Sequence, residues 1–161
     1  MGNPVVSILM GSKSDLPIMQ EAIDILSDFG VPFEAKVLSA HRAPDAMIAY
    51  ARGCEARGFK AMIAGAGMAA HLPGMLAATT TLPVMGVPIL AKSLGGQDAL
   101  YSIVQMPRGV PVATFAIGGS GATNAALMVV QMLALNDADL KEKLLAYRAR
   151  RAEAAQIDLV G

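Results

Sequence analysis

Val5-Val6-Ser7-Ile8-Leu9-Met10-Gly11-Ser12-Lys13-Ser14-Asp15-Leu16-Pro17 decides the fold. The run from Val5 to Met10 is apolar and rich in β-branched residues, as a strand buried on both faces requires. It breaks into a polar loop led by Gly11. Leu16, Met19, Ile23, Leu26 and Phe29 then mark one face of a helix, with Pro17 in its first turn and Gly30 as its stop. Strand, glycine-led loop, helix is the opening unit of a parallel α/β sheet.

The same alternation continues. Val31 to Leu38 reads as a second strand, Asp45 to Arg57 as a helix closed by Gly58, and Ala61 to Ala64 as a third strand entering a loop over Gly65 to Ala70. A short helix is predicted over Leu72 to Thr80, strands over Val84 to Val87 and Val112 to Ile117, and helices over Asp98 to Gln105 and from the Gly118–Gly121 cluster through Leu135. Strands separated by single helices imply right-handed crossovers and a three-layer α/β/α sandwich, flavodoxin-like or Rossmann-like. Residues 1–161 read as one domain, with 137–161 as a C-terminal amphipathic helix and tail carrying Leu140, Leu144, Leu145 and Tyr147 among charges.

Charge narrows the function. The chain has 13 basic and 13 acidic residues, no Trp, three Tyr and four Phe. It offers neither the basic excess nor the stacking surface of a nucleic-acid binder. The lone Cys54 sits in a helical pattern, excludes an internal disulfide and reads as a small core residue of a protein kept reduced. No basic segment precedes the first apolar run, and Asn3-Pro4 interrupts it, so a cytoplasmic location is predicted. Between Phe59 and Asn136 only Lys60, Lys92, Asp98 and Arg108 are charged. Prolines at 73, 83, 88, 107 and 111 rule out a membrane span there. Burial in a central sheet and against other subunits is the expectation, hence a homo-oligomer.

Ligands of open parallel sheets sit beyond the carboxyl ends of the strands, and three loops at such ends carry chemistry. Gly11-Ser12-Lys13-Ser14-Asp15 offers hydroxyls and a carboxylate before a helix N-terminus; its structural reading is an N-cap by Ser14 or Asp15. Ser39-Ala40-His41-Arg42-Ala43-Pro44-Asp45 sets an imidazole beside a guanidinium. Histidine is the side chain whose unperturbed pKa, about 6.5, lets it give and take a proton near neutrality. Arginine binds phosphate bidentately, although Arg42 could equally pair with Asp45. Gly65 to Gly74 surrounds the only other histidine, His71, with tiny residues, as close wrapping of a small planar ligand or tight strand–helix packing would need. No metal-ligand spacing is present, and Gly118 to Gly121 reads as a helix entry, not a dinucleotide fingerprint.

Taken together, these loops, Ser102-Ile103-Val104-Gln105-Met106-Pro107-Arg108-Gly109 and Gly121-Ala122-Thr123-Asn124-Ala125-Ala126 resemble the 5-(carboxyamino)imidazole ribonucleotide mutase family of purine biosynthesis (the PurE family, class I type) from Val5 to about Arg150. The resemblance implies a flavodoxin-like homo-octamer with a C-terminal helix crossing to a neighbour. It implies an isomerase that moves a carboxylate from an exocyclic nitrogen to ring carbon-4 without ATP, metal or organic cofactor. His41 becomes the general acid/base. Ser12, Asp15 and Arg42 become binders of the ribose-phosphate, and Ser14, Ser39, Ala40, Gly67, Met68, Ala70, His71 and Leu72 the lining of the pocket.

Arg42 and Ala69-Ala70-His71-Leu72-Pro73 favour the mutase over a direct carboxylase of aminoimidazole ribonucleotide, whose second loop typically has lysine after the histidine. A non-catalytic ribonucleotide-phosphate-binding module is the other alternative; it would not need His41. Two residues depart from the pattern: Ala43 replaces the usual threonine, and Met68 a usual glycine. Met68 is expected to strain the backbone if its position needs a positive φ.

Overall fold

The computed structural model describes residues 2–156. Strands β1 (Val6–Met10), β2 (Phe33–Val37), β3 (Ala61–Gly67), β4 (Val84–Ile89) and β5 (Ala113–Thr114) form one all-parallel sheet in the order β2-β1-β3-β4-β5. The helices are α1 (Leu16–Phe29), α2 (Pro44–Cys54), α3 (Leu72–Ala77), α4 (Gln97–Val104), α5 (Gly119–Leu133) and α6 (Ala138–Ala154). This is the flavodoxin-like order, whose crevice opens where β1 and β3 part and their connections run to opposite faces.

The first apolar run shows how the sheet is buried twice. Val6, Ile8 and Met10 point into a core with Met19, Ala22, Leu26 and Phe29 of α1, Val129 and Val130 of α5, and Leu140 and Leu144 of α6. Leu9 points to the other core, with Met47 and Cys54 of α2, Leu76 of α3 and Ile103 of α4. Each large side chain buried this fully contributes about 1.5–3 kcal/mol. Ser7, the one polar residue in the run, is fully buried on the second face with its Oγ 2.8 Å from the Tyr50 hydroxyl. Tyr50 donates its own proton to Glu34 at 2.8 Å, so Ser7 is the donor in that pair. Arg57 holds Glu34 from outside at 2.8 Å and is the main reason its carboxyl is lowered to about 2. This charge cluster occupies the β2 edge, where an apolar face would invite pairing with other chains.

Four sequence expectations need correction. α3 stops at Ala77, three residues short of the predicted Thr80. β3 runs on to Gly67 instead of ending at Ala64, because Gly65, Ala66 and Gly67 pair in register with Val87, Pro88 and Ile89. Gly65 is a packing residue of the strand: a Cβ there would overlap the Met19 sulfur. β5 is two residues long, not a strand over Val112 to Ile117. Phe115 and Gly118 still donate to the carbonyls of Gly86 and Pro88, at 3.0 and 2.9 Å, but Pro88 has no N–H to return and the ladder stops. α2 ends at Cys54, and its chain leaves through a turn in which Gly58 N–H bonds the Glu55 carbonyl at 3.0 Å.

Other boundaries match the periodicity closely. α1 ends at Phe29 with Gly30 left-handed at φ 72, and α5 starts inside the Gly118–Gly121 cluster. Cys54 is buried and unpaired. α6 packs on its own chain, with the Tyr147 ring 5.6 Å from that of Phe29. The predicted tail beyond residue 156 lies outside the described residues. Among the described residues no helix is long and apolar enough to cross a membrane.

Candidate active site

Each of the four loops at the carboxyl ends of β1 to β4 reaches one cavity of about 670 Å3 at the switch point. Ser12, Ser14, Asp15, Ser39, Ala40, His41, Arg42, Gly67, Met68, His71 and Leu72 all line it. Ala70 does not. It is buried behind the loop, only 1% exposed, and Ala69 takes its place at the wall.

The first loop folds on itself before α1 begins. Ser12 caps a single 3-10 turn at Lys13–Asp15: its Oγ accepts from Ser14 N–H at 3.3 Å and from the Ser14 hydroxyl at 2.9 Å. Asp15 answers by accepting from Ser12 N–H at 3.0 Å. Ser12 is thus the cap of the 3-10 turn with Asp15 as its reciprocal partner, while Asp15 itself stands at the N-cap of α1 without a side-chain bond to that helix. Partial burial pushes the Asp15 carboxyl above its ordinary range, against the opposing pull of the Ser12 and Ser14 bonds and the Arg42 charge.

Arg42 ties the second loop to the first. Its Nη2 donates to the Gly11 carbonyl at 2.7 Å and its Nε to the Ser39 hydroxyl at 3.2 Å. No ion pair with Asp45 forms among the described residues. A guanidinium has five N–H donors in a fixed fork, so these two bonds fix its direction and leave three for a ligand. Pro44 opens α2, and Ala43 sits at its N-cap without a side-chain bond.

The third loop carries two unusual features. His71 Nδ1 lies 2.8 Å from His41 Nε2, with the rings nearly perpendicular and their centroids 4.8 Å apart. Such a contact needs one hydrogen between the two nitrogens, so one ring donates and the other accepts. Met68 is left-handed at φ 56, so the position does demand a positive φ and methionine meets it at a cost in strain.

Gly11, Ile18, Ala66, Ile89, Leu90 and Ala91 also line the cavity. Ile89 ends β4, Leu90 and Ala91 follow it, and none carries a polar signal. The rule that ligands sit at strand carboxyl ends would have found them without any motif. Among the described residues no group of three or more His, Cys, Asp or Glu side chains could hold a metal ion.

The model of the AIR carboxylase family matches residues 5–154. The chain belongs to the AIR carboxylase family. A family member from Bacillus subtilis, named N5-carboxyaminoimidazole ribonucleotide mutase, is 59% identical over 141 residues, covering 88% of this chain and 87% of its own. One from Brucella melitensis with the same name is 55% identical over 148 residues, 92% of this chain and 91% of its own. The phosphoribosylaminoimidazole carboxylase of Saccharomyces cerevisiae is 55% identical over 95% of this chain, but the match spans 26% of that protein. Among solved structures, Treponema denticola PurE superposes with a TM-score of 0.85 at 27% identity, over 94% of each chain. These matches agree with the resemblance carried by the loops.

Proposed function

We propose that this AIR carboxylase family member is an N5-carboxyaminoimidazole ribonucleotide mutase, an isomerase of purine biosynthesis. The observation that carries the reading is end-to-end similarity to relatives of that name, 55% and 59% identical over about nine tenths of both chains. The carboxylase name belongs to a yeast protein of which this chain matches a quarter.

The cavity suits the chemistry. Arg42, aimed by Ser39 and Gly11, holds the phosphate, with Ser12 and Asp15 on the ribose. Protonated His41 gives its proton to the exocyclic nitrogen as the nitrogen–carboxylate bond breaks, leaving carbon dioxide and a neutral aminoimidazole. Ring carbon-4 attacks the carbon dioxide, and His41 takes the carbon-4 proton. One proton leaves His41 and one returns, so the enzyme ends as it began. Small residues of the third loop keep carbon dioxide beside the ring, where positioning replaces a bimolecular step. Proton transfer of this kind contributes roughly 10²- to 10⁴-fold.

The protein acts in the cytoplasm as a homo-oligomer, an octamer by the resemblance. What supports assembly is large apolar side chains left exposed on one protomer: Tyr101 at 61%, Leu135 at 81% and Leu145 at 58%. A monomer in sedimentation at micromolar concentration would refute assembly.

The deciding experiment is disappearance of carboxyaminoimidazole ribonucleotide without ATP or added bicarbonate. Turnover under those conditions is the expected result. Bicarbonate-dependent carboxylation of aminoimidazole ribonucleotide, with the carboxyamino compound inert, would select the direct carboxylase. Binding without turnover would select a ribonucleotide-binding module.

A further inference from the structure

Among the described residues only Met68 and Leu94 have a positive φ without being glycine. A left-handed backbone is disfavoured for every residue with a Cβ, and methionine lacks the short polar side chain that lets Asn or Asp offset it locally. Such strain persists where the surroundings over-determine it, and it gathers at ligand clamps. At Met68 the surroundings are firm. Gly67 ends β3 in register with Ile89, and just beyond Met68 the His71 N–H bonds the Ala69 carbonyl at 2.9 Å.

The result is a thioether side chain that is 62% exposed and lines the cavity. Its place in the sheet gives it a subsite. Asp15 and Arg42 stand at the β1 and β2 ends of the cavity, whereas Ile89, Leu90 and Ala91 make the β4 end apolar. β3 pairs with β4, Gly67 standing in register with Ile89, so Met68 follows the strand next to that apolar end. A ribonucleotide whose phosphate meets Arg42 therefore lays its ring against the loop that begins with Met68.

We propose that Met68 is a binding residue for the aminoimidazole ring, with its thioether packed on the ring and setting how tightly the ribonucleotide is held. This rests on the mutase reading. Sulfur–aromatic contacts are favourable, and an exposed methionine has the rotational freedom to close over a ring after it enters.

Three variants separate side chain from backbone. Met68→Ala keeps the Cβ and its left-handed cost but loses the thioether. Met68→Gly loses both. Met68→Leu keeps apolar bulk on the same backbone. With carboxyaminoimidazole ribonucleotide as substrate, KM is expected to rise about two- to tenfold in both the alanine and the glycine variants. The loss should fall on KM more than on kcat, and leucine should recover most of it. An alanine variant with the KM of the unmodified enzyme overturns the proposal, whatever glycine does; so does a leucine variant no better than alanine. If the unmodified enzyme turns the substrate over while alanine leaves KM unmoved, the Met68 assignment fails and the mutase reading stands. If the unmodified enzyme does not turn it over, the mutase reading fails and takes this assignment with it.

Discussion

His41 Nε2 and His71 Nδ1 lie 2.8 Å apart across the cavity, joining the second loop to the third. A hydrogen bond at that separation holds one proton, and two protonated rings could not share it. In the proposed mechanism a protonated His41 donates to His71 until substrate replaces it as acceptor, which assigns the two histidines unequal work: His41 the proton transfer, His71 the positioning of the His41 ring beforehand. His41→Asn is expected to lower kcat by roughly 10²-fold or more while still binding ribonucleotide in equilibrium titration. His71→Asn should keep turnover within about tenfold of the unmodified enzyme, because the amide can still meet His41. Equal losses in both variants would make the pair a joint proton relay and remove this assignment.

Ala43 fills the N-cap of α2 with no side-chain bond to the first turn and does not line the cavity. Its missing hydroxyl is a matter of helix stability, not of chemistry. Ala43→Thr or Ala43→Ser should raise the unfolding free energy by about 0.5–2 kcal/mol, read from the denaturant midpoint at constant slope. Turnover should not change. No gain in midpoint from either residue would show that the Ala43 backbone cannot present a cap.

How far the sequence could be read depended on whether the cause of a feature was local. The start and stop of α1 were legible because Pro17 and Gly30 act within one turn of the residues they punctuate. The β3 extension was hidden because Gly65 looks like loop but is chosen by Met19, a residue of α1 that packs across the sheet. β5 was overestimated because the residue that ends it, Pro88, belongs to its neighbour. In the site, titratable residues on polar loops were legible from residue type alone, whereas Ile89, Leu90 and Ala91 offer nothing but position. Met68 lay between: the glycine usual there in the resembled family raised a positive φ as a condition, and both the φ and the reach into the cavity needed coordinates.

Arg42 makes two bonds that lysine cannot reproduce together, to the Gly11 carbonyl and the Ser39 hydroxyl. Lysine keeps the charge but loses the planar fork that fixes its direction. Arg42→Lys should raise KM for the ribonucleotide about ten- to a hundredfold, the loss of one to two charge-assisted hydrogen bonds. The effect should grow with salt, since the remaining point charge is screened more readily. Unchanged KM at about 0.1 M salt, where the Debye length is about 10 Å, and at about 0.5 M, where it is well below that, would mean that Arg42 braces loops and does not meet the phosphate.

Asp15 carries a cost that pH exposes. Burial raises its carboxyl pKa above the unfolded value, and the bonds from Ser12 and Ser14 do not fully offset it. An acid with a raised folded pKa binds its proton more tightly when folded. Its penalty is therefore complete at pH above the folded pKa and disappears as pH falls through that pKa towards the unfolded one. Asp15→Asn removes the ionised form while keeping an oxygen to accept from Ser12 N–H. The variant should be more stable than the unmodified protein at neutral pH, and the gap should narrow as pH drops through the carboxylate range. Substrate binding should weaken in the same variant, since the ribose loses its ionised acceptor. Denaturant midpoints of the two proteins across that range give the answer: a constant gap, or a less stable variant at neutral pH, would mean that the Ser12 and Ser14 bonds outweigh burial at Asp15.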